Sequence, residues 1–235
     1  MFNVKKYSKT GDAHKRNNQQ CQDVTFTKEN ARFTVAALAD GVSSCENSRE
    51  GAKIACESVA ELLLQLGELL YGYSEAKISF LVVEEVKSCL KKFAEKAGNP
   101  IESYASTLSF CCVDKTKGKV IVFNLGDSAA IVTTDAGERL SVESCDDTAQ
   151  VFTTSHNAYK KASVKFYDMA DIDIDKIFLC SDGVLKNILA NSYVSESFKR
   201  VLANSDYGSV EKLIESGGRY DDRSYLSMDF GGFEK

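Results

Sequence analysis

Four acidic positions, far apart in the chain, each stand at the end or the start of an apolar run. AALADG (36–41) ends in Asp40-Gly41, DKIFLCSDG (175–183) ends in Ser181-Asp182-Gly183, and VIVFNLGDS (120–128) ends in Gly126-Asp127-Ser128. The pair Asp221-Asp222 precedes a last strand-like run, SYLSMDF (224–230). A carboxylate on the lip of a strand is rigidly placed and still reaches solvent. Several carboxylates gathered in this way make an all-oxygen shell of the kind Mg²⁺ and Mn²⁺ prefer. Glycine after the aspartate permits a sharp bend, and at Gly41 it lets a backbone carbonyl turn towards an ion. An isolated Asp-Gly also ends many ordinary strands in a turn, so the recurrence carries more weight than either pair.

Softer metal chemistry is disfavoured. The chain has only two histidines, His14 and His156, and none of its eight cysteines (Cys21, Cys45, Cys56, Cys89, Cys111, Cys112, Cys145, Cys180) forms a C-x-x-C pair. Most sit inside apolar or helical runs and are expected to be reduced, packed thiols. Asp171-x-Asp173-x-Asp175 opens like a calcium loop, but Lys176 stands where such a loop needs glycine. It reads as a turn feeding a strand.

The elements that must position these acids can be traced along the chain. Strand-like runs fall at 24–27, 32–39, 105–113, 119–125, 128–134, 139–143, 176–180 and 223–230, several joined by connections too short for anything but antiparallel neighbours. Two long helices lie between the early and middle strands. The first, 47–70, aligns Ala52, Ala55, Val59, Leu62, Leu63 and Leu66; the second, 75–97, aligns Ile78, Leu81, Val82, Val86, Leu90 and Phe93 and is stopped by Gly98-Asn99-Pro100. Shorter helices are expected at 193–203 and 208–215. The pattern predicts an α/β fold, a layered sandwich of two mainly antiparallel sheets flanked by helices (αββα). With 235 residues, one proline and no low-complexity linker, residues 1–235 are expected to form a single domain.

Charge narrows the partners. Lys and Arg total 29 against 34 Asp and Glu, for a net charge of −5. A nucleic-acid footprint is not expected. No run approaches the length of a membrane span, so a cytoplasmic protein is expected.

Taken in order, the motifs resemble those of the metal-dependent serine/threonine protein phosphatases of the protein phosphatase 2C (PPM) family, in a bacterial-type form. They are Gly11-x-x-His14 with Cys21-Gln22-Asp23, A-L-A-D-G (37–41), A-S-T-L (105–108), L-G-D-S (125–128), L-C-S-D-G (179–183) and D-D-R-S (221–224). The resemblance implies that Asp40 bridges two divalent ions, Mg²⁺ or Mn²⁺, with the Gly41 carbonyl on one ion and Asp182 and Asp221 on the other. It implies that Asp23 orients metal-bound water from behind, and that an ion-activated water attacks phosphoserine or phosphothreonine without a covalent intermediate. Counting back five from Thr107 reaches Glu102, where bacterial members often carry an aspartate; it is a candidate ligand for a third ion, or a solvated acid. His14, with Arg16 as the alternative, takes the neighbourhood in which many members hold the substrate phosphate through arginine. Val42 replaces the histidine that eukaryotic members often place after Asp-Gly. The implied partners are a phosphorylated protein and a cognate kinase, and a monomer is expected. A pseudophosphatase that keeps the fold as a binding module, or a phosphatase for small esters, is the alternative.

Overall fold

The computed structural model describes residues 2–134, 141–143, 151–190 and 193–231. Part of the expected 139–143 strand, and Cys145, lie outside the described residues. The strands are β1 (Asn3–Lys9), β2 (Val24–Glu29), β3 (Phe33–Ala39), β4 (Leu108–Asp114), β5 (Lys119–Leu125), β6 (Ala129–Thr134), β7 (Ser141–Glu143), β8 (Ser163–Asp168), β9 (Ile174–Cys180), β10 (Leu189–Ala190), β11 (Tyr193–Val194) and β12 (Arg223–Asp229). The helices are α1 (Asp12–Arg16), α2 (Ser48–Leu66), α3 (Glu75–Ala97), α4 (Asp182–Ile188), α5 (Glu196–Ala203) and α6 (Tyr207–Ser216).

Two five-stranded sheets, ordered β1-β12-β9-β6-β7 and β2-β3-β4-β5-β8, are antiparallel throughout. Period-two alternation sorts each central strand between two cores. In β3, Phe33, Val35, Ala37 and Ala39 pack with α2 and α3, while Ala36 and Leu38 face the other sheet. In β9, Ile177 and Leu179 join that inter-sheet core, while Phe178 and Cys180 pack with Phe198, Leu202, Val210 and Ile214 of α5 and α6. Three cores between four layers make the αββα sandwich expected from the sequence. Because both faces of a central strand are covered, β3, β4 and β5 read as continuous apolar runs although they are antiparallel.

Helix boundaries follow local chemistry. The Ser74 hydroxyl accepts from the Lys77 N–H and starts α3, and Gly98, at φ +74°, ends it. The start of α2 is set by a crossing rather than a cap: Asn47 donates from its side chain to the Ser103 hydroxyl and from its backbone to the Ser103 carbonyl. One turn on, Gly51 lies against the chain at Tyr104, where a Cβ would fall 2.0 Å from the carbonyl oxygen. In an open helix, Gly→Ala gains roughly 1 kcal/mol. Here the contact is with backbone, which cannot swing aside. Gly51→Ala is expected to destabilise by about 2–3 kcal/mol in denaturant melts; an unchanged or higher midpoint would show that the crossing can open.

Candidate metal centre

Both lips of the cleft are pinned by hydrogen bonds among motif residues. After β3 the chain runs antiparallel to the segment before β4. Gly41 bridges Ser106, the Thr107 N–H donates to the Asp40 carbonyl (2.8 Å), and the Val42 N–H donates to the Ala105 carbonyl (3.1 Å). The Thr107 hydroxyl accepts from the Asp40 N–H (2.9 Å) and pairs with the Ser128 hydroxyl (2.7 Å). Gly126, at φ +96°, passes so close that a Cβ would meet the Thr107 methyl at 2.6 Å. The A-S-T-L and L-G-D-S motifs therefore fix the backbone of Asp40, and the turn between Gly126 and Ser128 leaves Asp127 on the cleft wall.

Across the cleft, the ends of β9 and β12 are stapled together. The Ser181 N–H donates to the Ser224 carbonyl and the Ser224 N–H to the Ser181 hydroxyl, both at 3.0 Å. This sets Asp182 at the first residue of α4 beside Asp221, which lies just before β12. Adjacent residues of an extended chain face opposite ways, and Asp222 is buried. Its carboxylate accepts from the Gly11 N–H (2.6 Å), the Gln22 N–H (2.6 Å) and His14 Nδ1 (2.8 Å). Asp222 thus ties both halves of the N-terminal motif to the cleft floor.

The resulting cleft, of about 300 Å³, is lined by Asp40, Asp127, Asp182, Asp221 and Asp222 together with His14, Gly41, Thr107 and Phe152. Behind it Asp23 is buried, and neither of its carboxylate oxygens has a hydrogen-bond partner. Burial, relieved only in part by contacts with Asp40, Ser224 and Ser181, pushes its pKa up to about 6. Asp40 is held well above the usual carboxylate range by burial and by the charges of Asp23, Asp182 and Asp127. A cation answers part of this excess. Lys186 Nζ, from α4, sits 2.6 Å from Asp182 Oδ2 and 3.1 Å from Asp221 Oδ2. Burial opposes its charge, but the two aspartates outweigh that and raise its pKa.

Of the residues singled out in the sequence, Asp40, Gly41, Asp182, Asp221 and His14 meet at the cleft, and Asp23 lies behind it. Arg16 is exposed at the end of α1, and Glu102 is exposed on the 3₁₀ turn Ile101–Tyr104; neither is among the lining residues. The described cysteines are all free thiols. Burial pushes Cys21 up to about 11 and Cys111 up to about 12, which leaves them protonated and poor nucleophiles. Sequence reasoning missed Lys186, Phe152 and the inward turn of Asp222. The signal for Lys186 was its place four residues after Asp182, one helical turn along.

The donor set suits hard divalent cations: acids from four chain-distant segments, an unpartnered buried carboxylate behind them, and no described thiol or second imidazole lining the cleft. Among the described residues, the group of ligand atoms that all lie within 4.8 Å of one another is instead Cys21, Asp23 and Asp222. Asp222 is already spent on three donors and the Cys21 thiol keeps its proton, so that group is a poor ligand set.

An acid whose pKa is higher folded than unfolded binds more protons in the folded state. Stability therefore falls as pH rises from about 4 to about 6 and stays lost above that. With Asp23 moved from 3.8 to about 6, Asp23→Asn is expected to stabilise the metal-free protein at pH 8 by about 1–3 kcal/mol, with the difference vanishing near pH 4. Thermal melts of both proteins with EDTA check this; a variant that melts lower at pH 8 would show that Asp23 is not an electrostatic burden.

A family model described as protein phosphatase 2C matches residues 10–215. No curated protein matches the chain in sequence. Among solved structures, the chain is similar to a bacterial serine phosphatase crystallised as an arginine-to-alanine variant (15% identity, TM-score 0.71, covering 100% of this chain and 99% of that one). It is also similar to the serine/threonine phosphatase Stp1 from Staphylococcus aureus (14%, TM-score 0.69, 99% and 96%). A third is the catalytic domain of the serine threonine protein phosphatase PstP in complex with two manganese ions (18%, TM-score 0.66, 97% of each). With six motifs in order on the sandwich that gathers them, and a family model spanning most of its length, the chain belongs to the protein phosphatase 2C family of metal-dependent serine/threonine protein phosphatases.

Proposed function

We propose that the protein hydrolyses phosphoserine and phosphothreonine in protein substrates, with Asp40, the Gly41 carbonyl, Asp182 and Asp221 holding two ions of Mg²⁺ or Mn²⁺ and a third ion at Glu102 only if that exposed side chain turns inward. The observation that carries this is the meeting of Asp40, Asp182 and Asp221, brought from three separate segments to one cleft and backed by the unpartnered carboxylate of Asp23. Bound there, the ions would supply hydroxide at neutral pH and draw in the phosphoryl oxygens. The chain's own part is to fix positions. The Thr107 clamp holds Asp40 at the cleft, and Asp23 orients water from behind.

His14 is the proposed phosphate contact. With Nδ1 committed to Asp222, its other nitrogen, Nε2, is the one free for substrate. Because the Nδ1 proton is given to Asp222, donating from Nε2 to a phosphoryl oxygen, and passing a proton to the leaving alkoxide, requires the ring with both nitrogens protonated. This fills the gap left by Val42. Arg16 is the lesser candidate because it is exposed away from the lining.

One observation favours the alternative of a catalytically weak module: Lys186 already neutralises two of the proposed ligands. Turnover of a phosphothreonine peptide and of a small aryl phosphate, with Mn²⁺ and with EDTA, separates the readings. Mn²⁺-dependent release of phosphate from the peptide is expected, and none with either ester would favour the module. Asp40→Asn is expected to lower Mn²⁺-dependent turnover by more than about 100-fold, a larger loss than that of a group supporting a ligand from behind. His14→Ala is expected to raise KM with metal affinity intact. Normal turnover in Asp40→Asn would sink the mechanism, and an unchanged KM in His14→Ala would move phosphate recognition elsewhere.

A further inference from the structure

Resting on that reading, we propose that Lys186 is a tethered competitor for the ion held by Asp182 and Asp221, an internal cation that must be displaced before the second metal enters. The ammonium is chelated as an ion would be: its nitrogen lies within hydrogen-bond reach of two carboxylates that are 39 positions apart in sequence (221 − 182), at 2.6 and 3.1 Å. The tether is local. Lys186 lies four residues after Asp182 on α4, so one helical turn returns its stem over the Asp182 carboxylate. Asp40, on the opposite lip, makes no such ion pair with it.

The competition is weak by design. Lys186 is well exposed and Asp221 partly so, and an ion pair in that setting is worth no more than about fivefold in an equilibrium. Two of them set the handicap on the second ion at roughly 2- to 30-fold. The ion nearest Asp40 escapes it. The protein would then bind its two ions in clearly separated steps, and once displaced, the flexible lysine would lie free beside the place where phosphate oxygens collect.

The test is titration of the metal-free, full-length protein with Mn²⁺ alone, by calorimetry and by electron paramagnetic resonance of free Mn²⁺, for wild type, Lys186→Met and Lys186→Arg. Lys186→Met is expected to tighten the weaker step about 2- to 30-fold and leave the tighter step unchanged, while Lys186→Arg, which keeps a cation, stays near wild type. Adding Asp182→Asn to Lys186→Met should abolish the gain. Two steps of equal affinity in wild type and Lys186→Met, or weaker binding in the variant, would overturn the role of Lys186 alone. Absence of Mn²⁺ binding in all three proteins would overturn it together with the metal reading on which it rests.

Discussion

Like charges do not share a low-dielectric cleft unless the backbone that carries each is held in place by something else. That constraint runs through the whole cleft. Asp40 is fixed by Thr107, and Thr107 by Ser128; Asp182 and Asp221 are fixed by the exchange between Ser181 and Ser224. None of these bonds touches a carboxylate that faces the cleft. The backbones beneath these acids are thus set without using their carboxylates, and the strand ends that carry them are anchored in three apolar cores. Burial and the neighbouring acids raise the pKa values of Asp23 and Asp40, the cost that this arrangement of like charges carries.

Asp222 shows how the same residue type is put to opposite use. It accepts from two backbone amides and an imidazole, so its charge is satisfied and serves as a hub. Through it the N-terminal segment, which carries no lip of its own, is bound to the end of β12. His14 reaches the cleft only because Asp222 faces inward.

Much of this was legible in the sequence. The strand-end acids stand out because central strands covered on both faces are apolar without interruption, so a carboxylate marks where cover ends. The long helices declare themselves by stripe and, for α3, by the stop at Gly98-Asn99-Pro100. Less was visible where burial is partial. The edge strand β1, NVKKYSK, has one sheet neighbour and only exposed or half-buried positions, so no clean alternation announces it; β8, at the edge of the other sheet with Val164 alone buried, is unannounced for a similar reason. Helix α4 was hidden because Ser181-Asp182-Gly183 reads equally as a turn, and with the helix went the one-turn spacing that brings Lys186 over Asp182. The inward face of Asp222 could not be read from an Asp-Asp pair, whose two members are alike until strand register assigns their sides.

The most direct test of the central claim, that the crowded carboxylates exist to be relieved by divalent ions, is a crystal of the full chain soaked in Mn²⁺ with diffraction recorded at the manganese edge. Two anomalous peaks about 4 Å apart are expected, one or both touching Asp40 and one touching Asp182 and Asp221 with Lys186 turned away. A map with no peak at Asp40, or with manganese bound only outside the cleft, would contradict it.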